Sequence, residues 1–514
     1  MTRAALLQHN HFIWSSGTIY VLMAKALVQG NFSLLDDIQH PLYMAMIYLA
    51  HFLVDDFVRA GGWVSVLAGS LTPVPIYLLT RRLTRTSTAF LAAALAAVQP
   101  YLIRFSTETL SESFFIFILL SGMALLAWAS DSMTSSAFGL VGLAGGLAYL
   151  TRPEGALIMI VGLLILARIA WQTRGIKVVT APIIWLALGF FILAGPYIAV
   201  LNLHSKAFSI SRKTDINLIA GFGELYPKWN GKMADKARRM VWLSRGEQND
   251  RQMVSEDIDA VAMAYKKPLG KMIALYPAQA AWIKIKEIVK LFKMGAMVLT
   301  WPYLLALLCV FLPLSTGEDI RRSRRFINIV LAVAIIQCAV LVMFFVHLRF
   351  LIPVAAVITP LAGLGISRSL SLARSKSLRV AVIVLTAWIA VVLANSAWIA
   401  ARPLRPEKVA YKDAAVWLTE HTRPDELIIS PEINIGFYAA RRTLLPSKNL
   451  LKTVEIMRRK NVRYFIVSDK AKAELMPECD RDLPTTGLVS QERFEGRLYG
   501  RTYPVTIFYL PPAT

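Results

Sequence analysis

The chain has 514 residues, of which 56% are hydrophobic and only 17% charged. Soluble proteins of this length carry about 25% charged residues, so the deficit points to a membrane protein. A formal net charge of +23 raises nucleic acid as a partner, but no zinc-finger, KH or RRM pattern accompanies it, and attraction of basic loops to anionic membrane lipids accounts for the charge better.

From the N-terminus, Met1 to Ser16 lacks the apolar core of a cleavable signal. The stretch PLYMAMIYLAHFLV (41–54) is too short for a hydrocarbon core of roughly 30 Å, which takes about 20 helical residues. It reads as an interfacial or re-entrant helix with Pro41 in its first turn. Uncharged runs long enough to span occur at 60–80, 86–103, 113–130, 132–151, 178–201, 294–317, 326–346, 350–367 and 380–401. The shorter run at 155–167 is extended to Trp171 if Arg168 snorkels. Ten spans result. Cys309 and Cys338 lie in apolar runs and Cys479 stands alone, which gives neither a disulfide framework nor metal-ligand spacing. After Ala401 the pattern changes: LIIS (427–430), YFIVS (464–468) and VTIFYL (505–510) read as strands, and 407–421 and 449–460 have helical spacing. The expected fold class is a mostly α, polytopic membrane protein with a small C-terminal α/β domain at 402–514.

Basic loops orient the spans. Arg81, Arg82 and Arg85; Arg174 and Lys177; Arg321, Arg322, Arg324 and Arg325; and Arg368, Arg374, Lys376 and Arg379 form four short loops that alternate with nearly uncharged turns. All four belong on the cytoplasmic side. Residues 1–59, 202–293 and 402–514 are then extracytoplasmic, with the transmembrane region covering 60–401. The loop 202–293 holds 17 Lys/Arg against 9 Asp/Glu, but long loops translocate largely regardless of charge. Ten spans and an outer C-terminus also require an outer N-terminus, and nothing in Met1 to Ser16 drives export. An upstream apolar extension is therefore expected.

Polar groups at the membrane boundary are the candidate chemistry. Asp36, Asp37 and His40 precede the 41–54 helix; a carboxylate there can take a proton from a hydroxyl or hold a divalent cation, or simply compensate the helix dipole. In Thr107–Glu108–Thr109–Leu110–Ser111–Glu112, the two glutamates are four apart. They are expected on one helical face as paired carboxylates, beyond what a helix start requires. In Thr151–Arg152–Pro153–Glu154–Gly155, Arg152 either pairs with Glu154 or clamps a phosphate through its planar fork. In His347–Leu348–Arg349–Phe350, Arg349 either neutralises a lipid phosphate or snorkels. The other histidines, at 9, 11, 51, 204 and 421, form no zinc spacing. Walker, GxGxxG and GxSxG motifs are absent, as is the internal symmetry of a transporter.

In this order, YVLMAKALVQG (20–30), HPLYMAMIYL (40–49), TETLSESFF (107–115), GLAYLTRPEGAL (146–157) and HLRFLIPVAAVITPLAGLGI (347–366), with AVWLTEHTRPDELI and NVRYFIVSD near the end, resemble GT-C membrane glycosyltransferases. The likeness is to family 39-like proteins: protein mannosyltransferases, lipid A aminoarabinose transferases and core-sugar transferases. The resemblance implies a polyprenyl-phosphate-linked sugar as donor and a hydroxyl of an envelope lipid, glycan or protein as acceptor, at the outer face of the inner (plasma) membrane. It also implies a first-loop aspartate as base in an Asp-Gly-x-x-Tyr-like setting, with a preceding span that this chain lacks. Here the stretch is Ser16–Gly17–Thr18–Ile19–Tyr20, and a serine hydroxyl is no base near neutral pH. Asp36, Asp37, Glu108 or Glu112 then serves, with His40, Arg152, Glu154 and Arg349 binding substrate, or the chain is a silent relative acting as transporter, flippase or scaffold. No cofactor is called for; a divalent metal ion is the one addition left open.

Overall fold

The computed structural model describes residues 3–8, 12–30, 39–173, 175–203, 210–211, 217–218, 221–225, 269–313, 317–400, 402, 408–447, 449–476, 478–498 and 501–512. They fall into two compact units. The first takes the described residues of Met1–Leu7, Tyr20–Asp235 and Met263–Arg402; the second takes those of Gln8–Ile19 and Pro403–Thr514.

The helices run α1 (Arg3–Gln8), α2 (Ser15–Val28), α3 (Pro41–His51), α4 (Phe57–Leu71), α5 (Pro73–Leu83), α6 (Thr86–Val98), α7 (Pro100–Phe105), α8 (Ser111–Ser132), α9 (Ser135–Thr151), α10 (Leu157–Thr173) and α11 (Lys177–Leu203). They continue as α12 (Leu269–Leu275), α13 (Pro277–Leu308), α14 (Gly317–Met343), α15 (Ile352–Lys376) and α16 (Leu378–Ala400). Prolines at the first position of α3, α5, α7 and α13 suit helix starts, because the missing N–H would have no helical partner there.

Among the described residues, eight helical segments are long and apolar enough to cross a membrane: Phe57–Leu83, Ser111–Ser132, Pro153–Thr173, Lys177–Leu203, Pro277–Phe311, Phe326–Met343, Leu348–Lys376 and Leu378–Ala400. Two of the ten expected spans differ. The run 86–103 is broken, with α6 ending at Val98, Gln99 extended at φ −62° and ψ 120°, and Pro100 opening α7. Proline pushes its predecessor out of the helical region, and the Gln99 side chain caps the new start by accepting from Leu102 N at 2.6 Å. The run 132–151 starts late, because Met133 takes a left-handed conformation at φ 53° and ends α8. That leaves α9 with 17 residues, about 25 Å of helix at 1.5 Å per residue.

Helices α9 and α11 pack almost backbone to backbone. A Cβ on Gly142 would overlap the carbonyl of Leu186 and the amide of Phe190. Small residues that let two helices approach are how membrane helices gain van der Waals contact without a hydrophobic driving force. At the other extreme, α16 shows Val382, Ile383, Ile389, Leu393 and Trp398 on its surface, as a lipid-facing helix should. The long span ending in α15 is nearly all buried and forms the centre of the bundle. In α13, Thr300 breaks the helix at φ 61° and ψ 158°, a rare conformation for a β-branched residue. Gln99 donates to the Val298 carbonyl at 2.8 Å, so a side chain meets a backbone group at the break, as is needed away from water, and Asn395 donates to the Thr300 hydroxyl at 3.1 Å.

The second unit carries helices α17 (Val409–His421), α18 (Ile433–Ala439), α19 (Leu450–Lys460), α20 (Asp469–Leu475) and α21 (Cys479–Asp482) with strands β1 (Ile428–Ile429), β2 (Thr443–Leu444), β3 (Tyr464–Ser468), β4 (Val489–Leu498) and β5 (Arg501–Tyr509). The sheet order is β2-β1-β3-β5-β4. The β1 pairings are parallel, and the β3–β5 and β4–β5 pairings antiparallel, with Phe465 opposite Phe508 and Ile466 opposite Ile507. The expected strands at 427–430, 464–468 and 505–510 correspond to β1, β3 and β5; β2 and β4 add to them. The core joins Tyr411, Ala414 and Leu418 of α17 to Ile428, Ile466, Val505 and Ile507.

Residues 1–59 were expected as one extracytoplasmic loop with interfacial helices, yet Phe12 belongs to this second core and the Ile13 backbone bonds to it. Phe12 packs edge-on against Tyr411 with centroids 5.9 Å apart. The Ile13 amide donates to the Tyr438 hydroxyl at 2.8 Å, and Asn434 donates to the Ile13 carbonyl at 2.7 Å.

Candidate active site

Three turns of the first unit meet in one buried ionic group. The first is Ser106–Leu110, between α7 and α8. Leu110 is extended and Ser111 opens α8, so Glu112 occupies the first turn of that helix, where the exposed amides favour an acid. Its side chain is fully buried. The second turn holds Arg152, extended at φ −155° and ψ 143° between α9 and the 3-10 turn Pro153–Ala156. The Arg152 amide closes α9 by donating to Ala148 O at 2.9 Å, and the Gly155 amide donates back to Arg152 O at 2.8 Å. Gly155 permits this fold, since a Cβ there would overlap the backbone of Ala148 and Tyr149. The third turn is the 3-10 segment Leu348–Leu351, where the His347 ring accepts from the Arg349 amide at 3.3 Å.

At their meeting point, Arg152 Nη1 donates to Glu112 Oε1 at 2.7 Å and Arg349 Nε lies 2.5 Å from the same oxygen. Arg152 Nη2 also reaches Glu154 Oε1 at 3.4 Å. The Arg152 guanidinium lies 5.7 Å from the Phe115 ring centroid and 5.3 Å from that of Phe350, a favourable setting for a desolvated cation. One carboxylate thus holds two guanidiniums, with a second carboxylate, that of Glu154, against the first of them.

The expectation that Arg152 pairs with Glu154 or clamps a phosphate is therefore incomplete: its shorter partner is Glu112. The helical-face pairing of Glu108 with Glu112 does not form. Glu108 lies in the turn before α8, because Leu110 leaves the helical region between them. Glu108 is nonetheless buried. His40 is buried too, but in a different setting: its Nε2 is 3.0 Å from the Ser211 hydroxyl, and its ring packs on Tyr149 and Tyr197 at 5.1 and 5.2 Å. Asp36 and Asp37 lie outside the described residues. Among the described residues, no three His, Cys, Asp or Glu side chains are grouped to hold a metal ion.

Several positioning residues were invisible in the sequence. The Tyr20 hydroxyl donates to Ser111 Oγ at 3.1 Å. The Tyr43 hydroxyl lies 2.8 Å from Ser65 Oγ, which donates to Leu110 O at 3.0 Å, and Thr109 donates to Val58 O at 2.9 Å. These bonds pin the turn that carries Glu108 and Glu112. Further along the chain, Glu287 of α13 accepts from the Val346 amide at 2.6 Å, and Lys284 donates to Met343 O at 2.8 Å. Together they hold the segment leading into Arg349. Tyr20, Tyr43, Thr109 and Ser111 carried a signal only through their place in the stretches that bear the family resemblance.

Residues 39–199, roughly a third of the chain, match the family model described as dolichyl-phosphate-mannose-protein mannosyltransferase. The match spans His40, Glu108, Glu112, Arg152 and Glu154. Comparison with curated proteins gives no match. Among solved structures, the oligosaccharyltransferase of Archaeoglobus fulgidus in its apo form is similar at a TM-score of 0.54 and 14% identity, covering 93% of this chain and 71% of that one. The archaeal oligosaccharyltransferase AglB from the same organism, in complex with an inhibitory peptide and a dolichol-phosphate, gives 0.49 at 15% identity over 95% and 70%. ArnT from Cupriavidus metallidurans bound to undecaprenyl phosphate gives 0.42 at 12% over 98% and 95%. The chain has a GT-C-like membrane fold.

Proposed function

We propose that the chain is a membrane glycosyltransferase that moves a sugar from a polyprenyl-phosphate-linked donor to a hydroxyl of an envelope lipid, glycan or protein, at the extracytoplasmic face. The observation that carries this reading is the buried Glu112–Arg152–Arg349 group. A phosphate-linked sugar needs no nucleotide-binding fold. It needs cations fixed where the leaving phosphate gains charge, and a carboxylate near the acceptor. In the step proposed, the acceptor oxygen forms a bond to the anomeric carbon, the bond from that carbon to the phosphate oxygen breaks, and the polyprenyl phosphate leaves. Arg152 and Arg349 neutralise the departing phosphate, and Glu112 orients both. The acceptor proton passes to a carboxylate: Glu108, or Asp36 or Asp37 of the first loop. The matching family model, described as dolichyl-phosphate-mannose-protein mannosyltransferase, agrees with a prenyl-phosphate donor.

One observation favours a second reading, in which a silent relative acts as transporter, flippase or scaffold: Ser16 stands where the resemblance calls for an aspartate. The deciding experiment incubates the purified full chain, in lipid, with a panel of polyprenyl-phosphate sugars and an envelope extract. Sugar should transfer to an acceptor, and Arg152→Ala should reduce transfer by roughly 10²–10³-fold, the cost of one oxyanion-stabilising donor. No transfer from any donor, with envelope glycans unchanged on deletion, favours the silent relative.

A further inference from the structure

Within the second unit, a cleft of about 560 Å³ opens between the turn that follows α17 and the paired ends of β3 and β5. Its walls are fixed by bonds. On one side, Arg441 donates to the Thr422 hydroxyl at 2.8 Å and to the Thr422 carbonyl at 2.7 Å, and the Arg423 amide donates to a Glu426 carboxylate oxygen at 3.2 Å. On the other, Tyr464 and Tyr509 are strand partners whose ring centroids lie 5.5 Å apart, and the Leu510 amide donates to Arg463 O at 2.8 Å. Gln491 completes the lining. The β4–β5 register slips between Ser490 and Glu492, so Gln491 is the extra residue of a bulge. Bulges re-aim a side chain, and they recur beside functional sites.

The lining is polar without a dominant charge. Glu420 and Glu426 are matched by Arg423 and Arg463, and among the described residues no ion pair joins these acids to these bases. His421 stacks on Trp417 with centroids 4.0 Å apart, and its Nδ1 is 2.8 Å from the Trp417 carbonyl. A carbonyl only accepts, so Nδ1 carries the hydrogen and the neutral ring keeps an acceptor at Nε2. No aliphatic side chain lines the cleft, so an acyl chain finds no wall there. A polyanion or polycation would gain from one pair of charges and lose to the other. A neutral ligand dense in hydroxyls avoids both penalties. Each hydroxyl donates and accepts, and so can use carboxylate, guanidinium, amide and phenol alike. The half-buried tyrosine rings add a flat apolar surface for the C–H face of a sugar ring, and the volume falls within the range of about 300–1,000 Å³ usual for ligand sites. We infer that this cleft is a binding site for a neutral glycan, with Gln491 and Tyr464 in contact with the sugar. The site goes beyond the transferase reading, since it belongs to the second unit alone and calls for neither donor nor transfer.

The test uses the purified full chain in nanodiscs, with no donor present. Saturation-transfer NMR, which detects weak binding, screens neutral oligosaccharides of mannose, glucose, galactose and N-acetylglucosamine. A phosphorylated mannose oligosaccharide and an acidic peptide are measured beside them. At least one neutral oligosaccharide should bind in preference to the phosphorylated sugar and the peptide. Gln491 is exposed, so Gln491→Ala should melt with the parental protein. It should nonetheless bind that oligosaccharide about tenfold more weakly, as the loss of an amide's hydrogen bonds entails. Tyr464→Leu keeps an apolar side chain where the ring edge meets Trp417 but removes the ring face and hydroxyl, and should weaken binding at least as much. Binding of no oligosaccharide overturns the inference, as does a preference for the phosphorylated sugar or the peptide. Parental affinity in both variants also overturns it, because the sugar then binds elsewhere on the chain. Should Tyr464→Leu fail to fold, Gln491→Ala decides alone. The transferase reading is tested separately through Arg152→Ala, so either can fail without the other.

Discussion

At the residue scale, Glu112 and Glu108 are expected to respond to the same substitution in different ways. Glu112 is buried between two arginines, so Glu112→Gln leaves two cations sharing a neutral amide. Breaking a buried ion group by removing one partner typically costs about 3–5 kcal/mol, and the melting temperature should fall clearly. Glu108 stands in the turn before α8, and Glu108→Gln preserves its shape. That variant should melt close to the parental protein while transfer falls by at least about 100-fold, the lower limit for a general base. Melting curves and transfer rates of the two variants, side by side, check this. Parental melting of Glu112→Gln would show that Glu112 does not hold the arginines in place. Parental transfer by Glu108→Gln, with none by Asp37→Asn, would move the base to the first loop. The sequence marked each of these charged residues, because charge beside an apolar run is conspicuous. It did not show that Glu112 would choose Arg152 and Arg349, since partners 40 or more residues away in the chain leave no local pattern.

At the element scale, periodicity and punctuation carried most of the information, and the misreadings occurred where one signal outweighed another. The run 86–103 is apolar enough to span, yet Pro100 was already in it and ends α6 at Val98. The run 132–151 stands out in the sequence as apolar, although Gly139, Gly142 and Gly146 within it share a helical face. Their spacing is the trace of the α9–α11 contact. Strands β1, β3 and β5 were legible as β-branched and aromatic runs, whereas β4 (VSQERFEGRL) is polar and is a strand because β5 pairs with it. The glycine contact gives a sharp test, because one substitution should act with opposite signs at two helical sites. Gly142→Ala places a methyl against the Leu186 carbonyl and should lower thermal stability, as overpacking by one carbon does by about 1–3 kcal/mol. Gly295→Ala in α13 meets nothing within 4 Å and should leave stability unchanged or higher, following helix propensity. Equal melting temperatures for the two variants would mean that the close α9–α11 approach contributes little.

At the scale of the whole molecule, sidedness links the basic loops to the ionic site. The turns bearing Glu112, Arg152 and Arg349 were assigned to one face from loop charge alone, and the ion pairs among them require that they share an end of the bundle. Arg82, in a basic loop, pairs with Asp131 near the end of α8 at 2.8 Å, which puts the far end of α8 beside a loop expected in the cytoplasm. At the other end of the bundle, Arg104 of α7, just before the Glu108 turn, donates to Ile399 O near the close of α16 at 3.4 Å. The chain therefore leaves α16 at the end where the Glu112 group lies, opposite the basic loops. Positive loops stay in the cytoplasm, so everything beyond Ala400 should lie outside it. A reporter that works only in the cytoplasm, fused after Thr514, should be silent, and one that works only after export should be active. The same cytoplasmic reporter inserted between Arg82 and Arg85 should be active. Inverted results at both sites would reverse the orientation and put the ionic site on the cytoplasmic face, which the proposed extracytoplasmic transfer could not survive. An inverted result at the C-terminus alone would mean an odd crossing beyond the eight long helices, to be sought among the shorter apolar helices Thr86–Val98 and Ser135–Thr151.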